Sequence, residues 1–349
     1  MKRLMRYAML LLATMLVGNT QAGDVLKVCG QNLQNYFWSL DRERTQGNSV
    51  SNSNYTTEEG RNKKTGLVVG ALAPLEADIY VFNELEAKAV VLPYLAEQLK
   101  EATGVDYVAV DDDIDYDLAK YPIGMIKSGY IYRSDRVTPY GANVTTAVGY
   151  TFFYDFTMRL QTFESLTTGE RFTLSMNHFK AGGTEQNKQT RIANARSLLQ
   201  GLDKALDPDI LLMGDLNCEP AETAFQLLAD AGYEEQLLKY EGDDVYTYSW
   251  SGGTNFLDHV LTNHTMGQQV TSAEVLHIAN KYSVGYAKAY SDHDPYVVML
   301  DLMSTDTAIR DVAPAASAAS SDYYNLTGQR IQQPTRGVYI YRGKKILVK

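Results

Sequence analysis

Six short polar clusters in the chain hold side chains that could do chemistry together. They are Asn32, Asn83-Glu84, Asn177-His178, Gly214-Asp215-Leu216-Asn217, Asp258-His259 and Asp292-His293-Asp294. Each borders an apolar, strand-like run, and strand ends along one rim of a sheet are where side chains converge on a ligand. Singly, each cluster has an ordinary explanation: a Gly-Asp after a strand makes a turn, an Asn satisfies backbone groups, a Glu at an edge is solvated. Together they hold three of the five histidines, with His264 and His277 left outside as structural or exposed residues. Phosphodiester hydrolysis needs such a set: a hard cation on oxygen ligands, a base for water, and donors for the developing charge. Asn32, Glu84, Asp215 and Asp292 offer the oxygens. His293 is the candidate base, with Asp258 to orient it. His178 can protonate a leaving group or donate to a phosphate oxygen, and Asn217 and Arg133 can donate to non-bridging oxygens.

Other chemistries lack their residues. No Gly-x-Ser-x-Gly occurs, Cys29 lies within a strand-like run, and no Gly-x₄-Gly-Lys-Ser/Thr phosphate loop is present. The histidine spacings do not fit a compact zinc site.

The elements that must position these clusters alternate along the chain. Strands are expected at 25–31, 78–82, 107–110, 129–133, 152–162, 171–177, 210–213, 256–261, 270–277 and 296–302. Apolar stripes at helical spacing run through Leu92, Leu95, Ala96 and Leu99, through Ile192, Ala195, Leu199, Leu202 and Leu206, and through Ala224, Leu227, Leu228 and Ala231. Gly232 closes the last as a C-cap. Strands with intervening helices imply a layered α/β domain, sheets in the middle and helices outside.

The whole chain has 349 residues, 45% of them apolar, enough for a sizeable core. Its net charge is −10, and both ends are basic: Lys2, Arg3 and Arg6 at the start, six Lys/Arg against Asp322 at the finish. The body between is therefore more acidic than the whole, which argues against tight nonspecific nucleic-acid binding but not against an enzyme that meets an anion through a metal ion. Met1 to Arg6, the apolar run Ala8–Val17 and the small Thr20 and Ala22 read as a secretory signal cleaved after residue 22. A secreted, cell-surface or periplasmic protein is expected, with no stable membrane insertion and a monomeric body. Export places Cys29 and Cys218 in an oxidising compartment, where two buried free thiols are expected in preference to a pair. Residues 304–321 read as an Ala/Ser-rich linker and 322–349 as a small β module.

The order and wording of the clusters resemble the endonuclease/exonuclease/phosphatase superfamily, the fold of pancreatic deoxyribonuclease. Leu212-Met-Gly-Asp-Leu-Asn, Asn177-His-Phe-Lys, Leu257-Asp-His-Val-Leu and Ser291-Asp-His-Asp-Pro carry the resemblance, which covers roughly residues 25–302 and implies a catalytic domain over 23–303. Asn32-Leu-Gln-Asn-Tyr-Phe and Tyr246-Thr-Tyr resemble secreted bacterial nucleases in particular. The resemblance implies a four-layered sandwich of two mixed β-sheets flanked by helices. It implies Mg²⁺, with Mn²⁺ or Ca²⁺ as alternatives, on Asn32, Glu84 and Asp292. It places His178, Asp215, Asn217, Asp258 and His293 as catalytic residues, and Arg133 and Asn177 at the phosphate. Two departures stand out: Asn83 where relatives often have Gln, and no acid shortly before Ile126-Lys-Ser-Gly to serve His178. The tail, through Tyr324-Asn-Leu-Thr-Gly-Gln-Arg and Gly337-Val-Tyr-Ile, resembles C-terminal sorting modules of secreted Bacteroidetes proteins.

The expectation is a secreted metal-dependent phosphodiesterase, a nuclease acting on DNA or RNA by in-line water attack. A phosphatase or phosphodiesterase of inositol phosphates or phospholipids keeps the chemistry and changes the substrate. A surface binding protein that has lost catalysis is the third reading.

Overall fold

In Leu26-Lys-Val-Cys and Ile79-Tyr-Val-Phe, successive side chains point to opposite sides, and the apolar residues on both sides are buried. Leu26, Val28, Ile79 and Val81 join one core, Cys29, Tyr80 and Phe82 another. A strand buried on both faces lies inside a stack of layers. The computed structural model bears this out; it describes residues 23–39, 57–110, 112, 114–117, 125–150 and 152–302, with short stretches between 323 and 348. The expected signal sequence and linker lie outside the described residues.

In chain order the elements are β1 (Asp24–Tyr36), α1 (Glu58–Leu72), β2 (Ile79–Glu86), α2 (Val91–Thr103), β3 (Tyr107–Ala109), β4 (Ile126–Arg133), β5 (Val137–Thr145), α3 (Phe152–Thr157), β6 (Met158–Ser165), β7 (Arg171–His178) and α4 (Glu185–Gly201). There follow β8 (Ile210–Asp215), α5 (Thr223–Asp230), β9 (Glu234–Glu235), α6 (Gln236–Glu241), β10 (Tyr248–Trp250), β11 (Gly253–Asn255), β12 (Asp258–Thr262), α7 (His264–Gly267), β13 (Val270–Val275), α8 (Lys281–Val284) and β14 (Tyr296–Leu302). Two six-stranded sheets form, in the orders β13-β14-β1-β2-β4-β3 and β5-β6-β7-β8-β12-β9. Each is antiparallel except for one central parallel pair, β1 with β2 and β7 with β8. Leu26, Val28, Ile79, Val81 and Tyr130 of the first sheet share a core with Phe163, Phe172, Leu174, Met176, Leu211, Met213 and Val260 of the second. Leucines and valines of α1 and α2 cover the outer face of the first sheet, and apolar residues of α4 and α5 cover the second. The four-layered sandwich of two mixed sheets is as expected.

One local reading is corrected. The stretch 152–162 is not one strand: Phe152–Thr157 is a helical turn, and the strand starts at Met158. The Arg159 guanidinium donates to Asp155 O and so ties the strand start back to that turn. Helix α1 and strand β5 were not read from sequence at all. Helix α1 carries three Gly, two Lys, an Arg and an Asn among its apolar residues, and its amphipathic signal is faint.

Cys29 and Cys218 are both free, buried, and pushed up to about 12 by that burial, as inert core thiols. Residues 305–349 form a separate unit, in which β15 (Tyr323–Tyr324), β16 (Arg330–Ile331), β17 (Gly337–Tyr341) and β18 (Lys344–Val348) make an antiparallel sheet in the order β16-β15-β17-β18. No helix among the described residues is long and apolar enough to cross a membrane.

Candidate active site

Strand direction decides where the polar clusters meet. The C-terminal ends of the parallel strands β1, β2, β7 and β8 carry Asn32, Glu84, His178 and Asp215. An antiparallel neighbour begins where these strands end. Asp258, at the start of β12, therefore stands opposite Asp215, and the turn holding Asp292 and His293 feeds β14 beside the end of β1. The six clusters gather on one rim, where the ends of both sheets face each other.

Glu84 is aimed by a break in the ladder. Phe82 pairs with Gly129 and Leu85 with Lys127, so Asn83 and Glu84 together stand opposite Ser128 alone. Such a bulge turns a side chain away from its regular face. Glu84 takes a left-handed backbone, φ 59°, a conformation that costs free energy and recurs at functional sites. Its Oε2 accepts from Asn35 N at 2.8 Å and its Oε1 from Asn32 Nδ2 at 3.2 Å.

Asp215 is fixed by its backbone. Its N–H donates to Asn83 Oδ1 across the two sheets, 3.0 Å, and its Oδ1 accepts from Asn217 N, 2.9 Å. The Gly214 before it has φ 133°, and a Cβ there would lie 1.9 Å from Asn177 O, so only glycine fits. Asp215 Oδ2 is left facing both histidines, 3.6 Å from His178 Nε2 and 3.7 Å from His293 Nε2. Burial and the Asp258 charge raise the Asp215 carboxyl above the usual range, although both histidines oppose this.

His293 and Asp258 form the expected dyad, Nδ1 to Oδ2 at 2.6 Å. Burial works to lower the His293 pKa, but Asp258, Asp215 and Asp292 outweigh it and hold the imidazole well above its ordinary value. Asp292, whose Oδ1 is 3.9 Å from His293 Nε2, is pushed up to about 6 by burial and by Glu84, against the pull of His293. The Tyr248 ring packs on His293 with centroids 4.8 Å apart.

The donor set fits a divalent cation. Glu84, His178 and Asp215 offer ligand atoms within 4.8 Å of one another. Asp215 and Asp292 carry raised pKa values because buried negative charge goes incompletely neutralised, which a cation would relieve.

Two expected placements change, those of Arg133 and Asn177. Arg133 is not at the phosphate: β4 runs antiparallel to β2, so Arg133 sits beside Asp78 at the opposite end from Glu84, roughly 20 Å away at about 3.3 Å per residue. It pairs there with Asp135. Asn177 does not face the phosphate either. Side chains alternate along β7, so it turns away from His178 and gives its amide to Ser175 and to Met213 O. Asn32 reaches the site, but its nitrogen faces Glu84 and Asp215 while its oxygen accepts from Gln34 N, 2.9 Å. In this arrangement it bridges two carboxylates.

His178 has no carboxylate on its far nitrogen. Its Nδ1 is buried and without a hydrogen-bond partner among the described residues. Asn217, half-buried, gives its side-chain amide to Phe179 O, 3.3 Å.

Sequence reasoning missed the roles of Lys64 and Thr247, and singled out Asn83 only as a departure from Gln. Asn83 holds the Asp215 backbone and also donates to Ser128 Oγ, 2.7 Å, so the shorter side chain still performs a positioning role. Lys64 of α1 reaches Gln34 O, 2.6 Å, and burial brings its pKa down to about 7 against the attraction of Glu84 and Asp292. Thr247 accepts from the Asp258 N–H, 2.9 Å. The signal for Thr247 and Tyr248 was present in Tyr246-Thr-Tyr without a role attached; that for Lys64 lay in a helix sequence alone did not reveal.

Comparison with known proteins adds a family. A model of the Endonuclease/Exonuclease/phosphatase family matches residues 50–293. No curated protein sequence matches the chain. Among solved structures, an endonuclease/exonuclease/phosphatase family protein from Bacteroides thetaiotaomicron is similar at 18% identity and TM-score 0.57, over 80% of this chain and 98% of that one. A mannosyl-6-phosphatase from the same organism matches at 17% identity and TM-score 0.53, over 79% and 99%. D. rerio TDP2 complexed with a single-strand DNA product matches at 15% identity and TM-score 0.50, over 79% and 98%. At these identities the likeness is one of fold.

Proposed function

The chain belongs to the endonuclease/exonuclease/phosphatase family of metal-dependent phosphoester hydrolases, and from that premise we propose that it is a secreted nuclease. The observation that carries the chemistry is the run Asp258–His293–Asp215–His178, set beside Glu84 on one rim. Glu84, Asp292 and Asp215 would hold a divalent cation, Mg²⁺ by the hardness of its oxygen donors. When bound, the cation would neutralise phosphate charge and stabilise the departing oxygen.

The chain's own residues supply the rest. Asp258 accepts a hydrogen bond from His293 Nδ1–H and so fixes the tautomer whose Nε2 carries a free lone pair. That nitrogen takes the proton of a water attacking phosphorus in line with the leaving oxygen. His178 Nε2 faces the same space from the other side of Asp215 and donates to the phosphate or to the departing oxygen. Asn217, anchored on Asp215, adds a donor for a non-bridging oxygen.

Nucleic acid is preferred to a small phosphoester on the wording of Asn32-Leu-Gln-Asn-Tyr-Phe and Tyr246-Thr-Tyr, which resemble secreted nucleases. The fold itself does not choose, since one neighbour is a sugar phosphatase and another carries a DNA product. Secretion rests on the basic, apolar, small-residue order of the first 22 residues. The test is a substrate panel with Mg²⁺ or EDTA: plasmid DNA, single-stranded DNA, RNA, mannose 6-phosphate and inositol phosphates. Metal-dependent cleavage of a nucleic acid at the highest kcat/KM supports the reading; preference for a sugar or inositol phosphate rejects it.

A further inference from the structure

Three of the exposed large apolar side chains gather around one lysine beside the site. Trp250 is 45% exposed, Tyr282 47% and Tyr286 82%. The Lys281 ammonium lies 4.2 Å from the Trp250 ring centroid, 5.1 Å from that of Tyr282 and 5.4 Å from that of Tyr286. Among the described residues no carboxylate pairs with this lysine. Single exposed aromatics need no explanation, but a cluster of them on a surface marks a binding site.

The cluster is joined to the catalytic residues by a strand. Ser249 N donates to Asp292 O, 3.1 Å, and Tyr248 is paired by a bridge to His293. Tyr248 and Trp250 are two residues apart in β10, so they share one face, about 7 Å apart. Tyr248 lies on the His293 ring; Trp250 lies one step further out, on Lys281. A row of rings thus leads from the base to solvent and ends at the Lys281 ammonium.

We infer that Trp250, Tyr282, Tyr286 and Lys281 form a stacking platform for an unpaired nucleobase next to the scissile phosphate. The inference rests on the nuclease reading and deepens it. Aromatic faces stack on any base, and a lysine among them meets the adjoining phosphate, which is how single strands are held without sequence readout. A phosphate at the His293 rim brings its neighbouring nucleotide over Trp250. A base inside a duplex has both faces covered, so the platform favours single-stranded or frayed substrate.

Only Trp38 and Trp250 are present, so fluorescence can isolate the platform in a Trp38→Phe background. In EDTA, where no cleavage occurs, a ten-residue thymidylate strand should quench Trp250, and the same strand of abasic sugar phosphates should not. With Mg²⁺, single abasic sites walked along a ten-residue strand should find one position beside the cut that lowers kcat/KM about 5- to 150-fold. In Trp250→Ala that difference should vanish, base-bearing and abasic strands being cut equally. Equal quenching by the abasic strand overturns the inference, as does an abasic penalty that survives in Trp250→Ala. So does quenching by mannose 6-phosphate with none by the thymidylate. Failure of the nuclease reading looks different: the unmodified protein with Mg²⁺ then cuts no strand at all.

Discussion

At His293, burial and charge act in opposite directions and charge prevails. The imidazole is 5% exposed, which alone would keep it neutral, yet three carboxylates surround it. Its pKa is raised, so the unprotonated base is lost as pH falls through a value above the ordinary 6.5 or so. The rate should therefore show an acid limb. Asp258→Asn removes the largest charge that raises the pKa, so the limb should move to lower pH while the rate itself drops; a pH profile of kcat/KM checks this. An unmoved limb would place the titrating group elsewhere. The polar clusters were legible at this scale because side chains able to bind a cation, take a proton and donate to an anion recur together. Arg133 was misplaced because the polarity of β4 is not written in Tyr130-Ile-Tyr-Arg. Asn177 was misplaced although strand alternation already set it opposite His178.

Elements hold the site through polar contacts that patterns do not reveal. His259, next to Asp258, is fully buried between Phe225 and Phe256. Its Nδ1 faces Glu235, 3.0 Å, and its Nε2 faces Cys218 O, 2.9 Å. Both nitrogens meet acceptors, which suits the imidazolium. Burial lowers its pKa, but Glu235 and the carbonyl more than compensate, so the folded value lies above the unfolded one. The resulting stabilisation is fully present below pH of about 6.5 and is lost as pH rises through the folded pKa. Urea titrations should show His259→Gln less stable than the unmodified chain at pH 6, with the gap closing towards pH 9; a gap that widens with pH would refute the charged state. The sequence expectation had counted this histidine with the functional clusters; in the structure it braces β12 against β9. Helix stripes such as Leu92–Leu99 were legible because apolar spacing is their whole signal, whereas α1 carries polar residues, Lys64 among them, on its buried side.

Across the molecule, two half-sandwiches of similar design meet at their parallel strand pairs, and the acidic residues lie where they meet. Asp215 and Asp292 resist ionisation there, so a cation bound only in the folded state should stabilise the whole body. At a hundred times its Kd the cation adds about 2.7 kcal/mol. Mg²⁺ should raise Tm, and Glu84→Gln should abolish most of that rise; equal rises in both would put the ion elsewhere. The layered architecture was legible because ten apolar runs separated by helical stripes have few other ways to bury themselves. Which strand ends share a rim was not, because it depends on pairings between residues as distant as Asn83 and Asp215. The central claim, that His293 is the base of a cation-dependent nuclease, is tested most directly by one measurement. Plasmid and single-strand cleavage is followed for the unmodified protein with Mg²⁺, with EDTA, and for His293→Ala with Mg²⁺. The account predicts cleavage with Mg²⁺, none with EDTA, and a loss of about 10²- to 10⁴-fold in the variant. Cleavage that survives EDTA, or a His293→Ala variant near normal turnover, would contradict it.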